Sequence, residues 1–174
     1  YHGRTFNLDG KLRTAPGFKG VNKFPHLNDN LKKYNVTQFR NMIFSSLEPN
    51  IDIASILEDI ESRLGWFPFN SLEYNSNSSN TYYLDAHWSL YCENYLEGFH
   101  VPYVHQGLND SIDLNSYKTE LLDNGVLQIT YGKNNKNNLI IPRGYKNEKA
   151  PIYAYYYFIF PNIMLNFYKW GLSI

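Results

Sequence analysis

Between residues 52 and 65 the apolar positions Ile53, Ile56, Leu57, Ile60 and Leu64 return every three or four residues, the spacing that lines one face of a helix. Asp52 stands where an N-cap is expected and Gly65 just past the end, so the pattern predicts a helix bounded by these two residues. Elsewhere the period shortens. Residues 5–12 alternate around Asp9-Gly10, a dipeptide suited to a tight two-residue hairpin turn, and residues 36–47 have the β-branched and aromatic character of one or two strands. Residues 81–87 read as a strand and 88–98 as a second helix. Residues 116–122 and 126–131 flank Asp123-Asn124-Gly125 as a hairpin, and residues 152–160 and 163–168 flank Pro161-Asn162 as a further strand pair. The polar runs 74–80 and 133–138 are connections. Strands grouped with strands, and helices set apart from them, predict an α+β fold with a mostly antiparallel sheet flanked by helices.

Composition narrows the classes of function. A chain of 174 residues, 43% hydrophobic and 18% charged, has the make-up of one ordinary globular domain, or of one domain and part of another. Its 16 basic and 16 acidic residues cancel, and no block of like charge provides a nucleic-acid footprint. Cys92 is the one cysteine, so no intrachain disulfide forms, and the first residues lack a signal-peptide pattern; a cytoplasmic setting is expected. The apolar stretch 152–174 is interrupted by Pro161, Asn162, Asn166 and Lys169, which favours paired strands over a membrane span. Aromatic residues make up 17% of the chain. They suit strands and cores, and they equally suit a cavity for an apolar or cationic small molecule.

The segment with chemistry runs from Trp88 to His105 and contains Cys92, Asn94, Glu97, His100 and His105. Five residues apart on a regular helix, His100 and His105 would diverge by about 140°. Pro102 disfavours a helical conformation at Val101, and this interruption is expected to swing the two rings toward a common point. Two converging neutral imidazoles suit a divalent transition metal, and Glu97, three residues before His100, is placed as a ligand or as the partner that fixes its tautomer. Spacing alone leaves the pair open between a metal site and ordinary half-buried histidines. Cys92 is read as packing, and His26 and His87 as structural or solvent-exposed.

The run Glu93-Asn-Tyr-Leu-Glu97-Gly-Phe-His100-Val-Pro-Tyr-Val-His105 resembles the iron-binding motif of the α subunits of Rieske non-haem iron oxygenases, the aromatic-ring-hydroxylating dioxygenase family. The resemblance implies that His100 and His105 bind a mononuclear Fe(II), that Glu97 bridges toward a Rieske cluster on a neighbouring subunit, and that Asn94 belongs to the catalytic neighbourhood. Tyr1-His2-Gly3 resembles the end of the second Rieske motif, which would make His2 a ligand of a [2Fe-2S] cluster. Two features of the family have no match here: the Cys-x-His pair and further Cys ahead of His2, and the carboxylate third iron ligand, for which Asp110, Asp113 and Asp123 come too early. Arg4 stands where the family commonly has Trp. The expectation is a fragment, inactive alone, with residues 1–50 as the C-terminal part of a Rieske domain and 51–174 as the N-terminal part of the catalytic iron domain.

Gln106-Gly-Leu108 and Asp113-Leu-Asn-Ser-Tyr117 are similar to the choline monooxygenase-like branch, which oxidises quaternary ammonium compounds. The resemblance thus implies O2-dependent hydroxylation of a small organic substrate, an aromatic ring or a quaternary ammonium compound. Its partners would be a flavin and iron-sulfur reductase drawing on NAD(P)H, within a homotrimer. Two rivals stand beside it. A non-catalytic ligand-binding domain of helix-grip type would need a cavity and no histidines, and a hydrolytic zinc site favours His spacing of four on an intact helix.

Overall fold

A computed structural model describes residues 2–47, 51–134 and 136–174. Tyr1 of the Tyr1-His2-Gly3 motif and the junction residues 48–50 lie outside these. The chain divides into two compact units, Tyr1–Asn50 and Ile51–Ile174.

The first unit holds two antiparallel hairpins, β1 (Thr5–Phe6) with β2 (Leu12–Thr14) and β3 (Val36–Phe39) with β4 (Met42–Ser45). The first is not the tight two-residue turn that Asp9-Gly10 suggested. Its loop closes through Gly10 N–H to Asn7 O and Asn7 N–H to Lys11 O, with Gly10 alone in the left-handed region at φ 81°, so the loop is five residues long. Arg4 has its own partners here: its guanidinium lies 5.0 Å from the centre of the Phe18 ring, with Phe24 beside it at 5.9 Å. His26 accepts from Asn28 N–H and, with Asp29, forms a reciprocal cap on a short turn, a structural role.

The second unit is α+β. Strands β5 (Lys118–Leu122), β6 (Gly125–Tyr131), β7 (Ile152–Ile159), β8 (Ile163–Tyr168) and β9 (Gly171–Ser173) form an antiparallel meander in chain order. Helix α1 (Ala54–Leu64) covers one face. Ile56, Leu57, Ile60 and Leu64 are buried along its apolar stripe, and they share the core with Phe67, Phe69, Leu127, Ile129, Tyr155, Tyr157, Leu165 and Phe167. Phe167 is the centre of an edge-on aromatic cluster, 5.4 Å from Phe67 and 5.9 Å from Phe69. The N-cap of α1 is Ile53, which makes no side-chain cap; Asp52, one residue earlier, accepts from Ala54 N–H, and Gly65 stays right-handed at φ −57° and is not a left-handed C-cap. No helix among the described residues is long and apolar enough to cross a membrane.

Two sequence expectations fail for tertiary reasons. Residues 81–87 form no strand: Tyr82, Tyr83 and Leu84 are 78%, 96% and 65% exposed, and a β-prone run without a neighbouring edge has nothing to pair its backbone with. Gly125 is not a turn residue. Asp123 and Asn124 make the turn, with Asn124 at φ 62°, and Gly125 opens β6 opposite Leu122. A Cβ on Gly125 would lie 2.5 Å from Phe158 O and 2.7 Å from Ile56 Cδ1, so glycine lets α1 and β7 approach. Gly125→Ala is therefore expected to destabilise the unit by about 1–3 kcal/mol through overpacking, read as a lowered unfolding midpoint in urea.

The opposite face of the sheet positions the candidate site. Gln128, Tyr156 and Asn166 form a row across β6, β7 and β8, and Val126, Phe158 and Met164 form another. Helix α2 (Trp88–Leu96) lies here, with Tyr95 Oη donating to Asn166 Oδ1 at 2.5 Å and the Tyr95 ring 6.4 Å from Phe158. His87 caps α2 through Ser89 N–H, again a structural role.

Candidate functional site

The sequence anticipated a break at Pro102; the structure has two breaks, on either side of it. Glu97 ends α2 in extended conformation (φ −123°, ψ 158°), and His105 separates α3 (Val101–Val104) from α4 (Gln106–Ser111) with φ −118°, ψ 65°. Pro102 sits in the first turn of α3. There its missing N–H costs nothing, because no intrahelical acceptor exists for it, and its fixed φ suits the helix. Across the single turn of α3, with His100 as its N-cap and His105 leaving the helical conformation at its end, the two rings stand 5.0 Å apart between centres, at 79° to each other.

Glu97 organises this corner. One carboxylate oxygen bonds His100 Nδ1; the other accepts from the backbone N–H groups of Phe99 and His100, the latter at 3.2 Å. The hydrogen bond from His100, followed by those from the backbone, holds the Glu97 carboxyl below its usual range against the opposing effect of burial. An ionised carboxylate only accepts, so His100 Nδ1 is the donor of this hydrogen bond, and in the neutral ring that tautomer places the free lone pair on Nε2. Oε2 has both of its acceptor positions filled, while Oε1 retains one.

Asn94 is exposed on α2 and lines a cleft of about 520 Å³ with Leu90, Glu93, Glu97, Phe99 and His100. The structure thus brings Glu97 to His100, His100 to His105, and Asn94 to the same cleft. His2 belongs to the first unit, exposed and at φ 55°. Cys92 lies 3.9 Å from Pro161 O, a packing position and not a ligand one. Two of the three aspartates that came too early are engaged locally: Asp110 accepts from Gln106, and Asp113 from Ser116 and Asn115. The Ser116 hydrogen bond, with that from Asn115, holds Asp113 below its usual range. Among the described residues no group of three or more His, Cys, Asp or Glu is placed to hold a metal ion.

Sequence reading missed the supports beneath this corner. Gln128, 1% exposed, donates from Nε2 to Tyr95 O at 2.9 Å and accepts the Tyr117 hydroxyl on Oε1. The signal was an amide in the middle of an apolar strand, Val-Leu-Gln-Ile-Thr, which a buried position demands be partnered.

No family model matches the chain. It is 26% identical to the chloroplastic choline monooxygenase of Arabidopsis thaliana, covering 97% of this chain and 41% of that one. It is 25% identical to the carnitine monooxygenase oxygenase subunit of Escherichia coli strain K12, covering 95% and 43%. The solved structure of a quaternary ammonium Rieske monooxygenase superposes with a TM-score of 0.66 at 22% identity, over 95% of this chain and 44% of that one. The α+β fold is shared with that enzyme. That solved structure is of a Rieske monooxygenase, the family the histidine motif resembles. The chain spans about two fifths of the length of the relatives it matches.

Proposed function

We propose that this chain is a segment of the oxygenase component of a Rieske-type monooxygenase that hydroxylates a quaternary ammonium compound, with His100 and His105 as two ligands of a mononuclear Fe(II). The carrying observation is the pair of imidazoles 5.0 Å apart, one of them held at Nδ1 by an ionised carboxylate. The donor chemistry fits: neutral imidazole is a good ligand for Fe(II), and the hydrogen bond to Glu97 fixes the tautomer that leaves Nε2 available. His100 and His105, together with a carboxylate, would hold the Fe(II), which would supply activation of dioxygen beside a substrate.

The chain's own residues have narrower tasks. Glu97 keeps the proton on His100 Nδ1, and its remaining Oε1 lone pair is the position from which it would bridge to a neighbouring subunit. Asn94 offers an amide to the cleft. A [2Fe-2S] cluster does not fit this chain by itself, since His2 is its one matching ligand, and no step is assigned to it. The choline and carnitine monooxygenases it resembles support a trimethylammonium-type substrate, with a separate NAD(P)H-dependent reductase feeding electrons to a homotrimeric oxygenase.

The test uses the full-length protein loaded with Fe(II) and supplied with a reductase. Oxygen uptake and product formation are expected with choline or L-carnitine and not with a neutral aromatic hydrocarbon such as naphthalene. Binding of a small molecule that needs neither iron nor oxygen would favour the helix-grip alternative.

A further inference from the structure

Three observations converge on the sheet beneath Glu97. Helix α2 ends at Leu96 because Glu97 turns extended, so its last-turn carbonyls lack the left-handed closure that usually satisfies them. One of these, Tyr95 O, is met by Gln128 Nε2 at 2.9 Å, from a fully buried side chain on β6. The other end of the same amide accepts the Tyr117 hydroxyl. The Tyr117 ring lies against the Gly98 backbone: a Cβ on Gly98 would stand 3.4 Å from Tyr117 Cε2. One buried amide therefore ties down the residue two before Glu97 and, through Tyr117, the residue just after it.

Resting on the metal reading above, we propose that Gln128 and Tyr117 are positioning residues for the His100 ligand: they fix the backbone on both sides of Glu97 and so set the carboxylate that holds the His100 tautomer. Neither touches the imidazoles. Their direction of action is defined by the amide: Tyr95 O only accepts, so the amide must present N–H to it and its C=O to the Tyr117 hydroxyl. Burial pushes the Tyr117 hydroxyl up to about 12, aided by the nearby Glu97 charge, so it stays a donor across the working range. A polar network of this kind, when fully satisfied, specifies a single geometry; when half-satisfied it loosens.

The test compares Gln128→Met, which keeps the side-chain volume and removes both polar ends, with Tyr117→Phe and with Ile129→Val. Ile129 is the next residue on β6 and belongs to the core shared with α1, so its truncation lowers stability without touching the amide. In full-length protein freed of metal and labelled with ¹⁵N-histidine, the His100 ring is expected to be a single Nδ1–H tautomer in the wild type. In Gln128→Met it is expected to become a mixture, with Co(II) affinity lowered roughly tenfold. Tyr117→Phe should give the same change in smaller degree, and it carries the test should Gln128→Met not fold. Ile129→Val should leave tautomer and affinity as they are. An unmixed tautomer in a folded Gln128 or Tyr117 variant overturns the proposal, as does an equal change in Ile129→Val. If His100→Ala binds Co(II) as the wild type does, the metal reading fails separately, and the tautomer measurement still judges the clamp.

Discussion

His100→Ala is expected to lower the affinity of the full-length protein for Fe(II) more than about a hundredfold, and Glu97→Gln to lower it by roughly ten- to a hundredfold while leaving the fold intact. The alanine variant removes a direct donor. The glutamine variant is the more informative, because both oxygens of Glu97 are engaged within the chain, one by His100 Nδ1 and the other by the N–H groups of Phe99 and His100. A primary amide has one acceptor and one donor end, and every partner here is a donor. If its oxygen faces the backbone, its NH2 faces His100 Nδ1 and drives the proton to Nε2, the atom the metal needs. If its oxygen faces His100, its NH2 collides with two backbone N–H groups. Equilibrium dialysis with metal analysis measures the outcome. Wild-type affinity in Glu97→Gln would show that Glu97 does not hold the His100 tautomer for the metal, and wild-type affinity in His100→Ala would remove the site itself.

Arg63→Ala is expected to destabilise the second unit by roughly 3 kcal/mol, the lower part of the range for breaking a buried ion pair by removing one partner. Arg63 is 1% exposed on α1; its Nε bonds Asp59 at 2.9 Å and its Nη2 meets Glu120 on β5 at 2.5 Å. Asp59 in turn accepts the Tyr157 hydroxyl at 2.8 Å, so the guanidinium is the cation that joins helix to sheet. Truncation would leave Asp59 with the Tyr157 hydroxyl and Glu120 with Lys118, and neither with the buried cation that joins them. The effect is placed at the low end because Nη1 finds no acceptor among the described residues and because both carboxylates keep some solvent contact. A thermal midpoint lowered by roughly 6–12 °C would follow for a chain of this size. The same cluster gives a pH dependence. Burial acts to raise the Glu120 pKa, but the Lys118 hydrogen bond and the Arg63 charge outweigh it and hold it below its ordinary value. A depressed carboxylate contributes stability that is complete above its unfolded pKa and lost as pH falls through the folded value. The wild type should therefore lose stability below about pH 4.5 through this group, and Arg63→Ala should show a flatter acid limb. Equal acid limbs in the two proteins would separate Glu120 from Arg63.

What the sequence alone determined were the features carried by neighbours within one or two turns. The α1 stripe is legible because residues three and four apart share a helix face, and it was buried as read. The β5–β6 and β7–β8 hairpins are legible because short turns join strands that lie next to each other in the chain. The relation of Glu97 to His100 is of the same kind, three residues apart in one local corner. The histidine motif pointed to its relatives for that reason as well.

Only the tertiary structure decided which local preferences survive. Residues 81–87 have strand-forming side chains and no edge to pair with, so they stay irregular. Gly125 looked like a turn residue and is a contact residue, because what matters there is the closeness of Phe158 and Ile56. Arg63 reads as one of the polar positions of an amphipathic helix, yet it is buried, because Glu120, 57 residues away, arrives to balance it. Gln128 reads as a flaw in an apolar strand and becomes the cap of α2, 33 residues from Tyr95. In each case a polar or small side chain can occupy the interior only when a partner distant in sequence completes its hydrogen bonds or fills its space, and no local pattern in the chain records where that partner will be.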